Sequence, residues 1–151
     1  MAQNPTEKNA QLNISRNYPC AIEKVWNAWT EPQALSQWFG PGEPNSVTRA
    51  HLDVQVGGEF DIAFRTQDGL EHNVGGVYQQ VEPLRKLVFT WAWKSTPDRV
   101  SLVTVAMAAV PGGTQLDFTH ERFFDAESAR NHTRGWTATF AKLDAAIAAA
   151  A

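Results

Sequence analysis

Cysteine is nearly missing from this chain: Cys20 is the only one among 151 residues. A lone thiol closes no internal disulfide, which excludes the small secreted scaffolds stapled by cystines and fits a reducing compartment. Runs of like charge are missing too. Lys and Arg number 13 against 16 Asp and Glu, a formal net charge of -3, without the basic footprint of a nucleic-acid-binding domain. No stretch reaches the roughly 20 apolar residues of a membrane helix, and Met1 to Lys8 lack the apolar segment of a secretory leader. The expected setting is cytoplasmic, with no nucleic acid and no membrane as partner. Metal-ligand spacing is also absent. His51 and Asp53 fall on a solvent face by strand parity, and His72, His120 and His132 share no common element, so no metal is expected. The segment Gly40-Pro-Gly-Glu-Pro-Asn-Ser46 lacks the lysine and following helix of a phosphate loop, and no cofactor is expected.

Aromatic residues are abundant. Six Trp, eight Phe and two Tyr make 11% of the chain, within 43% apolar residues overall. Such rings either fill a dense core or line a cavity. A chain of this mass buries roughly 70% of its unfolded surface, enough for one core without staples. The reading is a disordered tail over residues 1–10 and a single domain over 11–151.

From Gln11 apolar and polar residues alternate, with Leu12, Ile14 and Tyr18 on one face, until Pro19 stops a first strand. Ala21 to Trp29 then places Ile22, Val25, Trp26 and Trp29 at helical spacing. A second short helix is expected with Thr30 as its N-cap and Pro32 in its first turn, carrying Leu35, Trp38 and Phe39 until Gly40-Pro41-Gly42. That glycine-rich segment reads as a mobile rim. From Asn45 to Phe123 only strand-length runs appear. Ala50, Leu52, Val54 and Val56 alternate with polar residues up to Gly57-Gly58, and Phe60, Ile62 and Phe64 follow. Beyond Asp68-Gly69, the run from Leu70 to Val81 contains Gly75-Gly76, which predicts a bulge or a close crossing. Leu87, Phe89, Trp91 and Trp93 share a face; so do Val103, Val105 and Met107, and then Leu116, Phe118 and His120.

The period changes after Asp125, a good N-cap. Ala129, His132, Trp136, Phe140, Leu143 and Ile147 make one stripe of a helix of about 25 residues, about 37 Å long at 1.5 Å per residue. Gly135 interrupts it, at about 1 kcal/mol relative to Ala, and a close helix-to-sheet approach is expected there. The order is strand, two short helices, six strands, long helix. A sheet with one apolar face must cover it, and only the last helix is long enough. The fold class expected is α+β, with a curved antiparallel sheet wrapped around the C-terminal helix and space between them.

Laid out in this way, the chain resembles the START-type and birch-pollen-allergen-type (SRPBCC) helix-grip superfamily. Within it the chain is most similar to the family of activator of heat-shock-protein-ninety ATPase homologues. The resemblance is carried by Pro19 with Glu23-Lys-Val25-Trp26, Pro32 with Leu35 and Trp38, and Asp53 ahead of Gly57-Gly58-Glu-Phe60. It continues through Asp68-Gly69, His72, Gly76, Pro83, Leu87-Val-Phe-Thr90-Trp91, Gly113-Thr114, His120, and Gly135-Trp136 with Leu143. Gln55 departs from the pattern, since a basic residue is expected there. The resemblance implies an internal cavity for apolar molecules and a link to stress response. It does not imply one activity. The resemblance places the stimulation by the eukaryotic activator in an additional N-terminal domain, where residues 1–9 read here as loose, so a chaperone-associated role is not expected to transfer.

The expected ligand contacts are Trp38, Phe60, Phe64, Tyr78, Phe89, Trp91, Trp93, Val105, Phe118, His120, His132, Trp136 and Phe140. Any one of these rings is more simply a packed core residue, but together they read as a cavity lining. Arg16 could help orient a ligand. His120 is the first candidate for chemistry because parity turns it inward, although a hydrogen-bonded core histidine is the stronger reading. Cys20 reads as structural. A non-catalytic carrier of an apolar or aromatic molecule is therefore favoured. The alternatives are a cyclase-like enzyme using His120 and Tyr78 and a chaperone-associated interaction module. A homodimer is compatible with the mild outer face of Val88, Thr90 and Ala92.

Overall fold

Period-two alternation resolves into seven strands among residues 10–150, the part of the chain described by the computed structural model. In chain order the elements are β1 (Leu12–Tyr18), α1 (Ile22–Thr30), α2 (Pro32–Leu35), β2 (Val47–Leu52), β3 (Glu59–Arg65), β4 (Glu71–Glu82), β5 (Lys86–Trp93), β6 (Ser101–Val110), β7 (Gly113–Glu121) and α3 (Ala126–Ala150). The expected tail lies outside the described residues except for Ala10, which packs against the core. The strands form one antiparallel sheet in the order β1-β7-β6-β5-β4-β3-β2. The architecture is α+β, with the sheet curved about α3.

Glycine permits two of the tightest approaches. A Cβ on Gly76 would lie 1.9 Å from the Thr90 carbonyl oxygen and 2.8 Å from the Phe60 ring. That is the close crossing expected at Gly75-Gly76, and β4 changes register against β5 shortly after it, between Tyr78 and Gln80. A Cβ on Gly58 would meet the Asp53 carbonyl at 2.1 Å. The turn it serves ends β2 at Leu52, so Val54 and Val56 do not extend the strand and Val56 is 68% exposed. Gln55 donates to Asp53 Oδ2 at 3.1 Å inside this turn, in the place where the resemblance implies a basic residue.

Thr30 does not cap the second helix. It is the last residue of α1, and its hydroxyl donates back to the Trp26 carbonyl at 2.8 Å. α2 is a single turn begun by Pro32, and Trp38 and Phe39 follow it as buried residues. Together α1 and α2 fill half of the space inside the grip. Val25, Trp29, Leu35 and Trp38 are buried there, and Trp29 lies 6.0 Å from Phe118 and 6.1 Å from Phe140. Trp38 satisfies its indole N–H on the Ala28 carbonyl at 3.0 Å. α3 begins where expected, with Asp125 Oδ1 accepting from the Ser128 backbone N–H at 2.8 Å. Its buried stripe is Ala129, Trp136, Phe140, Leu143 and Ile147, with His132 half-buried.

Candidate functional site

The half of the grip that α1 and α2 leave unfilled is a cavity of about 420 Å³ beside the N-terminal half of α3. Its walls are mostly apolar. Phe39 comes from the segment after α2, Phe64 from β3, Trp91 and Trp93 from β5, Phe123 and Phe124 from the loop before α3, and Trp136 from α3 itself. Phe39 stands 5.9 Å from Phe64, 6.0 Å from Trp91 and 6.2 Å from Trp136, closing the end nearest the short helices. Buried Trp91 finds no acceptor for its Nε1–H and is surrounded by rings, edge to face with Trp93 and His120.

Of the thirteen residues expected to contact a ligand, Phe64, Trp91, Trp93, His132 and Trp136 line this cavity. The others lie elsewhere in the core. Phe60, Tyr78 and Phe89 pack as a trio of rings 5.2 to 5.8 Å apart, while Trp38, Val105, Phe118 and Phe140 are buried in the filled half. Arg16 is also away from the cavity, paired with Asp144 at 3.1 Å. Period two correctly turns these side chains inward, but inwardness does not distinguish a void from a contact.

His120 is fully buried behind Phe123, whose ring centroid is 4.4 Å away, and is not among the lining residues. The Trp136 indole N–H donates to its Nδ1 at 3.0 Å. An indole nitrogen can only donate, so Nδ1 is unprotonated and the imidazole proton sits on Nε2. Nε2 then donates to Ser101 Oγ at 2.7 Å, and the Ser101 hydroxyl donates onward to the Trp91 carbonyl at 3.3 Å. Both ring nitrogens are taken. Burial, with nearby His132 adding to it, holds His120 well below the usual imidazole range. The core-histidine reading is the one this geometry supports.

His132 has the opposite arrangement. Trp93 donates its indole N–H to His132 Nε2 at 3.0 Å, so Nδ1 carries the proton and donates to the Ser128 carbonyl at 2.7 Å. Burial lowers its proton affinity as well, partly opposed by the bond to Ser128. Two neutral imidazoles thus lock two tryptophans, and neither keeps a lone pair free for acid–base work. Tyr78 is buried away from the cavity, and burial raises its hydroxyl above the usual phenol range. Burial likewise raises the Cys20 thiol, in keeping with its structural reading.

Several lining groups carry no periodic signal in the sequence. Gly40 and Pro41 form a rim that is tethered rather than free, because Lys142 Nζ on α3 donates to the Gly40 and Gly42 carbonyls. Arg99 and Thr96 come from the β5–β6 loop, and Phe123-Phe124 could have been noticed only as an apolar pair ahead of the Asp125 cap. Gly135 also faces the cavity: a Cβ built there meets nothing within 4 Å, so the expected close approach to the sheet is absent. Among the described residues no cluster of His, Cys, Asp and Glu could hold a metal, and no helix is long and apolar enough to cross a membrane.

Residues 19–148 match the family described as activator of Hsp90 ATPase homolog 1-like protein. The chain belongs to this family. As a member of the activator of Hsp90 ATPase homolog 1-like family it is similar in structure to the AHSA1 protein from Silicibacter pomeroyi. That likeness has a TM-score of 0.80 and 26% identity, over 94% of this chain and 100% of the other. A putative uncharacterized protein from Rhizobium leguminosarum is similar at TM-score 0.73 and 28% identity, over 92% and 94% of the two chains. A protein from Chromobacterium violaceum shares the fold at TM-score 0.78 and 24% identity, over 91% and 96%. No curated protein matches the chain.

Proposed function

We propose that the protein is a non-catalytic carrier that holds an apolar, ring-bearing small molecule in the cavity between β5 and α3. The observation that carries this reading is the combination of an aromatic-walled space of about 420 Å³ with histidines that are already paired, His132 to Trp93, His120 to Trp136 and Ser101, and the lining His72 to Thr66 through Nε2. A volume of this size suits a drug-sized molecule. Turnover would need a proton donor or acceptor poised toward that molecule. His120 and Tyr78, the candidates for cyclase-like chemistry, both lie off the wall. Phe64, Trp91, Trp93, His132 and Trp136 are the proposed contacts from the expected set, and a cytoplasmic setting fits the lone thiol. Chaperone activation rests on the family description alone.

Native mass spectrometry of protein purified gently from its own cells, compared with its denatured mass, tests the reading. The expected result is a noncovalent adduct on the order of a few hundred daltons. A bare mass, together with no uptake of flat aromatic probes at millimolar concentration, would overturn it.

A further inference from the structure

We propose that the cavity selects an amphiphilic acid, with a flat apolar body among the rings and a carboxylate held at the mouth by Arg99. This rests on the carrier reading above and names its ligand class. Arg99 is the only Arg, Lys, Asp or Glu among the residues lining the cavity. None of the five ion pairs among the described residues includes it. Its guanidinium carbon lies 4.0 Å from the centroid of the Phe124 ring, a contact that positions the cation and leaves N–H groups available.

Neither neighbouring carboxylate forms an ion pair with it: Asp125 lies within electrostatic reach of Arg99 but is engaged at the start of α3 by the Ser128 backbone N–H, and Asp98, which precedes Arg99, makes no ion pair with it. Polar groups deeper in the wall are already occupied: Thr139 donates to the Gly135 carbonyl at 2.8 Å, and Ser101 is bound to His120. Asn131 accepts from Arg134 through Oδ1, so the groups it offers the mouth are amide donors.

The mouth is also apolar. Phe124, which lies beneath the Arg99 guanidinium, is 53% exposed. A neutral hydrocarbon would cover this surface but leave the guanidinium unpaired. A free inorganic anion would pair the guanidinium but leave the rings exposed. An acid with a flat body satisfies both. The apolar wall also excludes water from one side of the charge, which strengthens its attraction for an anion.

The test is a matched pair of probes, anthracene-2-carboxylate and its primary amide, titrated by quenching of tryptophan emission. The acid is expected to bind at least about tenfold more tightly than the amide, with the difference shrinking as salt rises. Arg99→Gln should bring the acid to the affinity of the amide and leave the amide within about twofold of its original value, whereas Arg99→Lys should retain part of the preference. Equal binding of the two probes to the unaltered protein, or an equal loss of both in Arg99→Gln, would overturn the role of Arg99 while the carrier reading stands. Binding of neither probe at millimolar concentration would remove both.

Discussion

His120 and His132 stand edge to face with ring centroids 5.0 Å apart, and they carry their protons on opposite nitrogens, Nε2 in the first and Nδ1 in the second. Each accepts from an indole, His120 from Trp136 and His132 from Trp93. The arrangement couples the positions of two cavity walls to the neutral state of both imidazoles. Protonating His132 would set its Nε2–H against the Trp93 N–H, donor against donor.

Acid should therefore destabilise the protein in a window belonging to these two residues. Both are held below the unfolded imidazole pKa of about 6.5, chiefly by burial, so the unfolded chain binds more protons than the native one as pH falls below that value. Their stabilising contribution is complete above about pH 6.5 and is lost as pH drops toward the lowered native values. Two protons set an upper slope of about 2.7 kcal/mol per pH unit. Urea unfolding between pH 7.5 and 5 checks this, and His132→Gln should reduce the slope to about half. A stability independent of pH across that interval would contradict the paired-tautomer arrangement.

Gly135 supplies a test of the void itself. Because an added Cβ meets no atom within 4 Å, Gly135→Ala should stabilise the protein by about 1 kcal/mol through helix propensity. Gly135→Leu should instead extend into the cavity and weaken anthracene-2-carboxylate binding by about tenfold or more. Chemical denaturation and the same fluorescence titration read the two effects. A destabilised Gly135→Ala variant would mean that α3 and the sheet meet closely there after all.

Lys142 should govern the rim. Its ammonium bridges from α3 to the Gly40 and Gly42 carbonyls, and burial lowers its proton affinity. Lys142→Met keeps the stem but removes both donors, at an expected cost of about 1 kcal/mol. Hydrogen exchange at residues 40–42 should quicken, with α1 and the central strands unchanged. Unaltered exchange in that segment would show that the tether is dispensable.

Much of the frame was legible in the chain. The N-cap at Asp125, the stripe from Ala129 to Ile147, and the inward faces of β5 and β7 follow from local chemistry and from periods of 3.6 and two residues. Boundaries set by a single turn were less legible. The β2–β3 turn, made by Gly58 lying against Asp53, shortened a strand that alternation would have carried to Val56. Thr30 illustrates the same difficulty, because a hydroxyl that can cap a following helix can equally donate to the turn behind it, as it does to Trp26.

What the sequence determined by itself is which residues face inward, because that depends on each residue's place in its own strand or helix. Where the inward residues fail to touch depends on how the separate elements pack together. Trp29 and Trp38 from the short helices fill one half of the grip against Phe118 and Phe140, and the other half stays open between Trp93 and Gly135. Tertiary packing also brought Arg99 and Phe124, from two loops without periodicity, to the same opening. A void is the remainder after all the side-chain volumes on several elements have been placed, so no single segment of the chain encodes it.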